Sequence, residues 1–131
     1  VILDGAHNPG AIEAFAESVN TQRGNNFEKI ILFSAVKEKE YETMIHMLCE
    51  SVDAKQYILT QIQNERGVST KELADVFQKY TDKKIIEEEN LEKAFYMALE
   101  EKGEHGRVYC LGSLYLIGML KELIAGGKKH A

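Results

Sequence analysis

The feature that most restricts this chain is a switch between two hydrophobic periods, repeated five times. Short apolar or β-branched runs stand at Val1–Leu3, Lys29–Phe33, Gln56–Thr60, Lys84–Ile86 and Arg107–Leu111. Each is nearly continuous rather than alternating, which suits strands covered on both faces. The segments between them repeat every three to four residues, the period of an amphipathic helix. Ile12, Phe15, Ala16 and Val19 form one stripe, and Tyr41, Met44, Ile45 and Leu48 a second. Leu73, Val76, Phe77 and Tyr80 follow, then Leu91, Ala94, Phe95, Ala98 and Leu99, and last Tyr115, Leu116, Met119, Leu120 and Leu123. Aromatic and methionine stripes at this spacing read as core. Asn8-Pro9 offers a cap with proline at the first helical position, Ser69–Glu72 reads as a capping box, and Asn90 caps the fourth helix.

Strand and helix alternating in this way imply an α/β fold with right-handed crossovers. The expected form is a Rossmann-like three-layer sandwich: a mostly parallel sheet of five or six strands with helices on both faces. Asn20–Asn26 reads as a surface loop and Gly126–Ala131 as a polar, frayed tail. A length of 131 residues fits one domain with a real core. A net charge of −5 with scattered lysines argues against nucleic acid as a partner. No apolar run approaches the ~18–20 residues that cross a bilayer, and no basic segment leads into an apolar one as in a secretory signal. The cysteines, Cys49 and Cys110, are too few for a disulfide framework and fit a reducing, cytoplasmic setting. Cys110 lies in a strand expected to be buried and reads as core, not as a nucleophile. The chain opens on Val1 inside a strand, and the expectation is a piece of a longer polypeptide.

In open parallel sheets ligands bind beyond the carboxyl ends of the strands. Three turns belong to that edge: Asp4–Gly10, Ser34–Glu40 and Gly112-Ser113. The first is the richest. Free N–H groups where Asn8-Pro9 opens a helix favour an anion. The Asp4 carboxylate can accept hydrogen bonds from ribose hydroxyls or a metal-bound water. Taken alone, these residues serve equally well as turn and helix caps. The run lacks GxGxxG, so no dinucleotide fingerprint is present.

Leu3–Pro9, reading LDGAHNP, resembles the signature of folylpolyglutamate synthases, relatives of the Mur peptide ligases. Phe33–Tyr41, FSAVKEKEY, is similar to that family's second-strand turn, with Glu38 where aspartate is usual. Leu111–Gly118, LGSLYLIG, is similar to its closing motif. The three in this order span essentially the whole chain, so residues 1–131 are identified as a Mur ligase-type C-terminal domain. The resemblance implies a cytoplasmic ATP-dependent ligase that activates a folate γ-carboxylate as an acyl phosphate, which the amino group of L-glutamate then attacks. It also implies that Asp4 contacts the ATP ribose and that His7 stands near the incoming glutamate or the acyl phosphate as a catalytic group. Lys37 and Ser113 would hold glutamate carboxylates with His7. Arg66 corresponds to an arginine after the third strand.

No GxxxxGK[ST] occurs in the chain, so the phosphate cradle would lie in an upstream ATPase domain of the same polypeptide. That domain would also carry most Mg2+ ligands and the folate site. The isolated domain is therefore expected to be inactive, and the resemblance implies a monomer. A non-catalytic α/β binding module remains the alternative. A receiver- or phosphatase-like domain would want a second acidic residue beside Asp4, which the turn lacks.

Overall fold

A computed structural model describes residues 2–21, 27–37 and 40–129. Strands and helices alternate without exception: β1 Ile2–Leu3, α1 Pro9–Thr21, β2 Lys29–Phe33, α2 Tyr41–Ser51, β3 Gln56–Leu59, α3 Thr70–Tyr80, β4 Lys84–Glu87, α4 Leu91–Glu101, β5 Arg107–Leu111 and α5 Leu114–Lys129. The strands form one sheet in the order β1-β5-β2-β3-β4. All four pairings are parallel, so the sheet is parallel throughout. Each of the five apolar runs contains a strand, with Val1 of the first run outside the described residues.

The continuous apolar runs are explained by helices on both faces. Ile31, Phe33, Tyr57, Leu59, Tyr109 and Leu111 point to one side and meet Ile12, Phe15 and Ala16 of α1, Met44, Ile45 and Leu48 of α2, and Leu73, Val76 and Phe77 of α3. Ile30, Leu32, Ile58, Val108 and Cys110 point to the other and meet Leu91, Ala94, Phe95 and Ala98 of α4 with Leu116, Ile117 and Leu120 of α5. Edge-to-face aromatic pairs at 5.2 Å (Phe15–Tyr109) and 5.5 Å (Phe33–Phe77) lock α1 and α3 to the sheet.

The helix starts follow the sequence signals. The Asn8 side chain accepts the Ala11 N–H at 2.8 Å. Ser69 Oγ accepts the Glu72 N–H at 3.1 Å, and Asn90 Oδ1 the Lys93 N–H at 2.9 Å. One expectation is corrected. Gly126–Lys129 continues α5 and is not a frayed tail. Glycine costs a helix about 1 kcal/mol but does not forbid it, and the segment itself contains no proline. Residues 22–26 of the expected Asn20–Asn26 loop, together with His130 and Ala131, lie outside the described residues, as do Glu38 and Lys39 of the second turn.

Candidate functional site at the carboxyl rim

A parallel sheet sends every strand-to-helix turn to the same edge, and here backbone bonds lace those turns together. Asp4 N donates to Cys110 O at 3.3 Å and Gly112 N to Ala6 O at 2.8 Å, joining the first turn to the last. Ser34 N donates to Leu111 O at 3.3 Å and Thr60 N to Phe33 O at 3.0 Å. Lys37 N reaches Arg66 O at 2.7 Å, and Val68 N reaches Ala35 O at 3.0 Å. The loops after β2 and β3 thus pair as a short antiparallel bridge at Val36 and Gly67. The rim is a fixed frame.

Gly112 is the tightest joint of that frame. Its φ is +104°, and a Cβ there would stand 1.9 Å from Ser34 O and 3.0 Å from the Phe33 ring. Only glycine lets β5 turn into α5 at this distance from β2.

The turns enclose an open cavity of about 560 Å³. His7, Val36, Arg66, Gly112, Ser113 and Tyr115 line it, with Met119 and Glu122 further along α5. His7 Nδ1 lies 2.8 Å from Gly5 O. A carbonyl only accepts, so Nδ1 carries the proton of that bond and a neutral ring keeps Nε2 as acceptor. Ser113 is buried, with its Oγ accepting the Tyr115 N–H at 3.1 Å as the cap of α5. The hydroxyl retains its own proton to donate. The first N–H groups of α5 and its positive end also face this region.

Two of the sequence-derived candidates, His7 and Ser113, therefore share the cavity. Asp4 and Lys37 stand exposed on the same rim, outside the cavity lining. Arg66 lines it: Nη1 donates to Tyr115 Oη at 2.7 Å, and the guanidinium carbon lies 5.4 Å from that ring's centroid. Tyr115 corrects an expectation, since the apolar stripe of α5 made it core. Its side chain is 46% exposed, because the buried face of α5 is carried by Leu116, Ile117 and Leu120. Tyr115 stands in the first turn of α5, on the side that faces the crevice. Cys110 is wholly buried, and burial pushes its thiol up to about 12, as expected of a packing residue.

No group of three or more His, Cys, Asp or Glu stands close enough to hold a metal among the described residues. No described helix is long and apolar enough to cross a membrane.

An arginine, a histidine and a capped helix start thus open onto one crevice at the rim of a parallel α/β sandwich. Residues 1–114 match the Mur ligase, glutamate ligase domain, and the chain belongs to that family. It is 31% identical over 122 residues to the dihydrofolate synthase/folylpolyglutamate synthase of Bacillus subtilis, a match covering 93% of this chain and 27% of that protein. The chain thus spans about a quarter of the relative's length. Among solved structures, FolC of E. coli in complex with ADP superposes with a TM-score of 0.85 at 17% identity, over 96% of this chain and 29% of that one. Folylpolyglutamate synthase of Thermotoga maritima superposes at 0.74 with 22% identity, over 95% of this chain and 27% of that one.

Proposed function

We propose that the chain is the C-terminal domain of an ATP-dependent folylpoly-γ-glutamate synthase that adds L-glutamate to a folate γ-carboxylate through an acyl phosphate. The observation that carries this reading is the Gly112 N–Ala6 O bond of 2.8 Å, which seats the LDGAHNP turn against the LGSLYLIG turn at one rim. Separate turns that each receive an anion become one site when they share a wall.

In this reading Asp4 accepts hydrogen bonds from the ATP ribose, for which an exposed rim carboxylate is suited. ATP supplies the phosphoryl group that activates the folate carboxylate, and Mg2+ would be held mainly by the upstream ATPase domain. Glutamate lies over the start of α5, where Ser113 and Lys37 donate to its carboxylates. The amine attacks the acyl carbon, the C–N bond forms and phosphate leaves. His7 Nε2, kept as an acceptor by the Nδ1–Gly5 bond, takes the proton the amine sheds. Holding amine and acyl carbon together provides the effective concentration.

Steady-state kinetics of the intact ligase carrying this domain test the reading. Asp4→Ala and His7→Ala should each lower turnover about a hundredfold or more, while shifting the melting temperature by no more than ~2 °C. Lys37→Ala should raise the KM for glutamate and leave turnover near the wild-type value. Losses of melting temperature that track the losses of activity would mean that these residues only build the turns.

A further inference from the structure

A second hollow lies between α4 and α5 and meets the cavity at Met119 and Glu122. Both helices follow parallel strands, so both start at the carboxyl rim and run toward the opposite edge of the sheet. The groove between them holds about 870 Å³ and is lined by Glu92 and Tyr96 of α4 and by Met119, Glu122 and Leu123 of α5. An adjoining hollow shares Glu92 and Tyr96 and adds Met97 and Glu100. From Leu91 to Glu100 the surface descends roughly 14 Å along α4, and from Leu114 to Gly126 roughly 18 Å along α5. It thus runs down the outer face of the domain, beyond the turns that carry the motifs.

Two properties set this surface apart. It is acidic: Glu88, Glu89, Glu92, Glu100 and Glu122 line the two hollows against a single described lysine, Lys93, in a chain whose whole net charge is −5. Among the described residues none of these five carboxylates is in an ion pair, whereas Glu28, Glu42 and Asp53 elsewhere each meet a lysine. Like charges gathered without partners repel, and a cationic partner removes that cost. The surface is also apolar. Tyr96 is 49% exposed, and Met97, Met119 and Leu123 are only partly covered. Tyrosine and methionine are enriched where proteins recognise one another.

No strand residue lines the groove, and the backbone groups of α4 and α5 are spent within the helices. An extended segment would find no backbone partners there. A helix satisfies its own backbone and can lay one apolar stripe on Tyr96, Met119 and Leu123. Lysines and arginines beside that stripe would meet Glu92, Glu100 and Glu122. Anionic membranes and nucleic acid are repelled. We propose that the α4–α5 groove docks a basic amphipathic helix of a separate protein. The groove descends the outer face, so a body seated on the rim reaches only the end next to the rim. This docking does not depend on the ligase reading.

The test uses the full-length enzyme carrying this domain and a fluorescent synthetic peptide of about 18 residues, with leucines on one helical face and lysines and arginines beside them. Anisotropy should report a Kd in the micromolar range that weakens as salt rises from about 50 to 200 mM. A peptide of the same composition in scrambled order keeps the charge and loses the stripe. It should bind at least about tenfold more weakly. Tyr96→Ala should weaken the amphipathic peptide about tenfold or more. Glu92→Lys together with Glu100→Lys should weaken it by a similar factor and flatten the salt dependence. These side chains are exposed, so melting temperatures within ~2 °C of the wild-type value should show that the variants fold. Equal binding of the two peptides would reduce the effect to charge attraction and overturn the proposal. So would absence of binding, or a silent Tyr96→Ala. The occupant is tested by replacing Tyr96 with p-benzoylphenylalanine and irradiating the full-length enzyme with the peptide. Adducts should form with the peptide alone. An adduct within the same polypeptide would assign the groove to the upstream domain, and one between two enzyme molecules would assign it to a second copy. Either would overturn the proposal of a separate helical partner.

Discussion

Substituting Gly112 with alanine should unfold the rim before it affects any chemistry. Two terms add. An L side chain at a φ of +104° is strained by about 1–3 kcal/mol. The new Cβ would also meet the Ser34 carbonyl oxygen at 1.9 Å, which forces β2 or β5 to shift at its carboxyl end. That contact is with backbone, so no side-chain rotation relieves it. The sum is ~3–5 kcal/mol, in the range where single substitutions are diagnostic. For a domain of this size it lowers the melting temperature by roughly 10–20 °C. Gly103 is the internal control, because its φ is also positive, at +68°, yet a Cβ there meets nothing within 4 Å. Gly103→Ala should cost only ~1–2 kcal/mol, from backbone strain alone. Calorimetric unfolding of both variants separates the two terms. Equal losses, or a larger loss at Gly103, would refute the claim that close approach to the Ser34 carbonyl adds to backbone strain at Gly112.

Two further outcomes follow from particular side chains. Removing the caps by Ser69→Ala or Asn90→Ala should destabilise by about 1 kcal/mol each, read by denaturant unfolding. The two effects should add, since the caps serve different helices on opposite faces of the sheet. The thiols should resist alkylation at pH 8 in the native protein and react once it is unfolded. Burial raises Cys49 to about 11 and Cys110 to about 12. Because both folded-state values lie above the unfolded ones, the linked stability is complete below pH ~8.5 and is lost as pH rises through about 11 and 12. Burial raises Tyr57 as well, and its contribution is lost in the same alkaline direction. Fast native labelling of both cysteines at pH 8, or a flat stability profile up to pH 11, would contradict this.

Local periodicity carried most of the architecture. Runs such as Lys29–Phe33 and Arg107–Leu111 are apolar at nearly every position because helices cover both sides of the sheet, and that is a property a sequence displays directly. Strand order is different. Nothing in Ile2-Leu3 says that its partner is Tyr109-Cys110, since pairing depends on packing between distant segments. The site divided in the same way. His7 and Ser113 were legible from their turns, whereas Tyr115 was hidden because its apolar neighbours gave it the spacing of a core residue. Only the direction in which α5 leaves the rim decides that its ring faces the cavity. Arg66 reaches the cavity through the bridge between two loops, a long-range pairing with no local signature.

The register Leu3↔Cys110 has a consequence for biosynthesis. Among the described strands, the one that carries the His7 turn has a single neighbour in the sheet, β5, which lies more than a hundred residues later in the chain. Closing a loop of this length costs about 4 kcal/mol of chain entropy beyond a constant term. A nascent or C-terminally clipped chain can therefore assemble β2, β3 and β4 with their helices while the His7 segment dangles. Assembly of the His7 corner of the rim thus waits on β5.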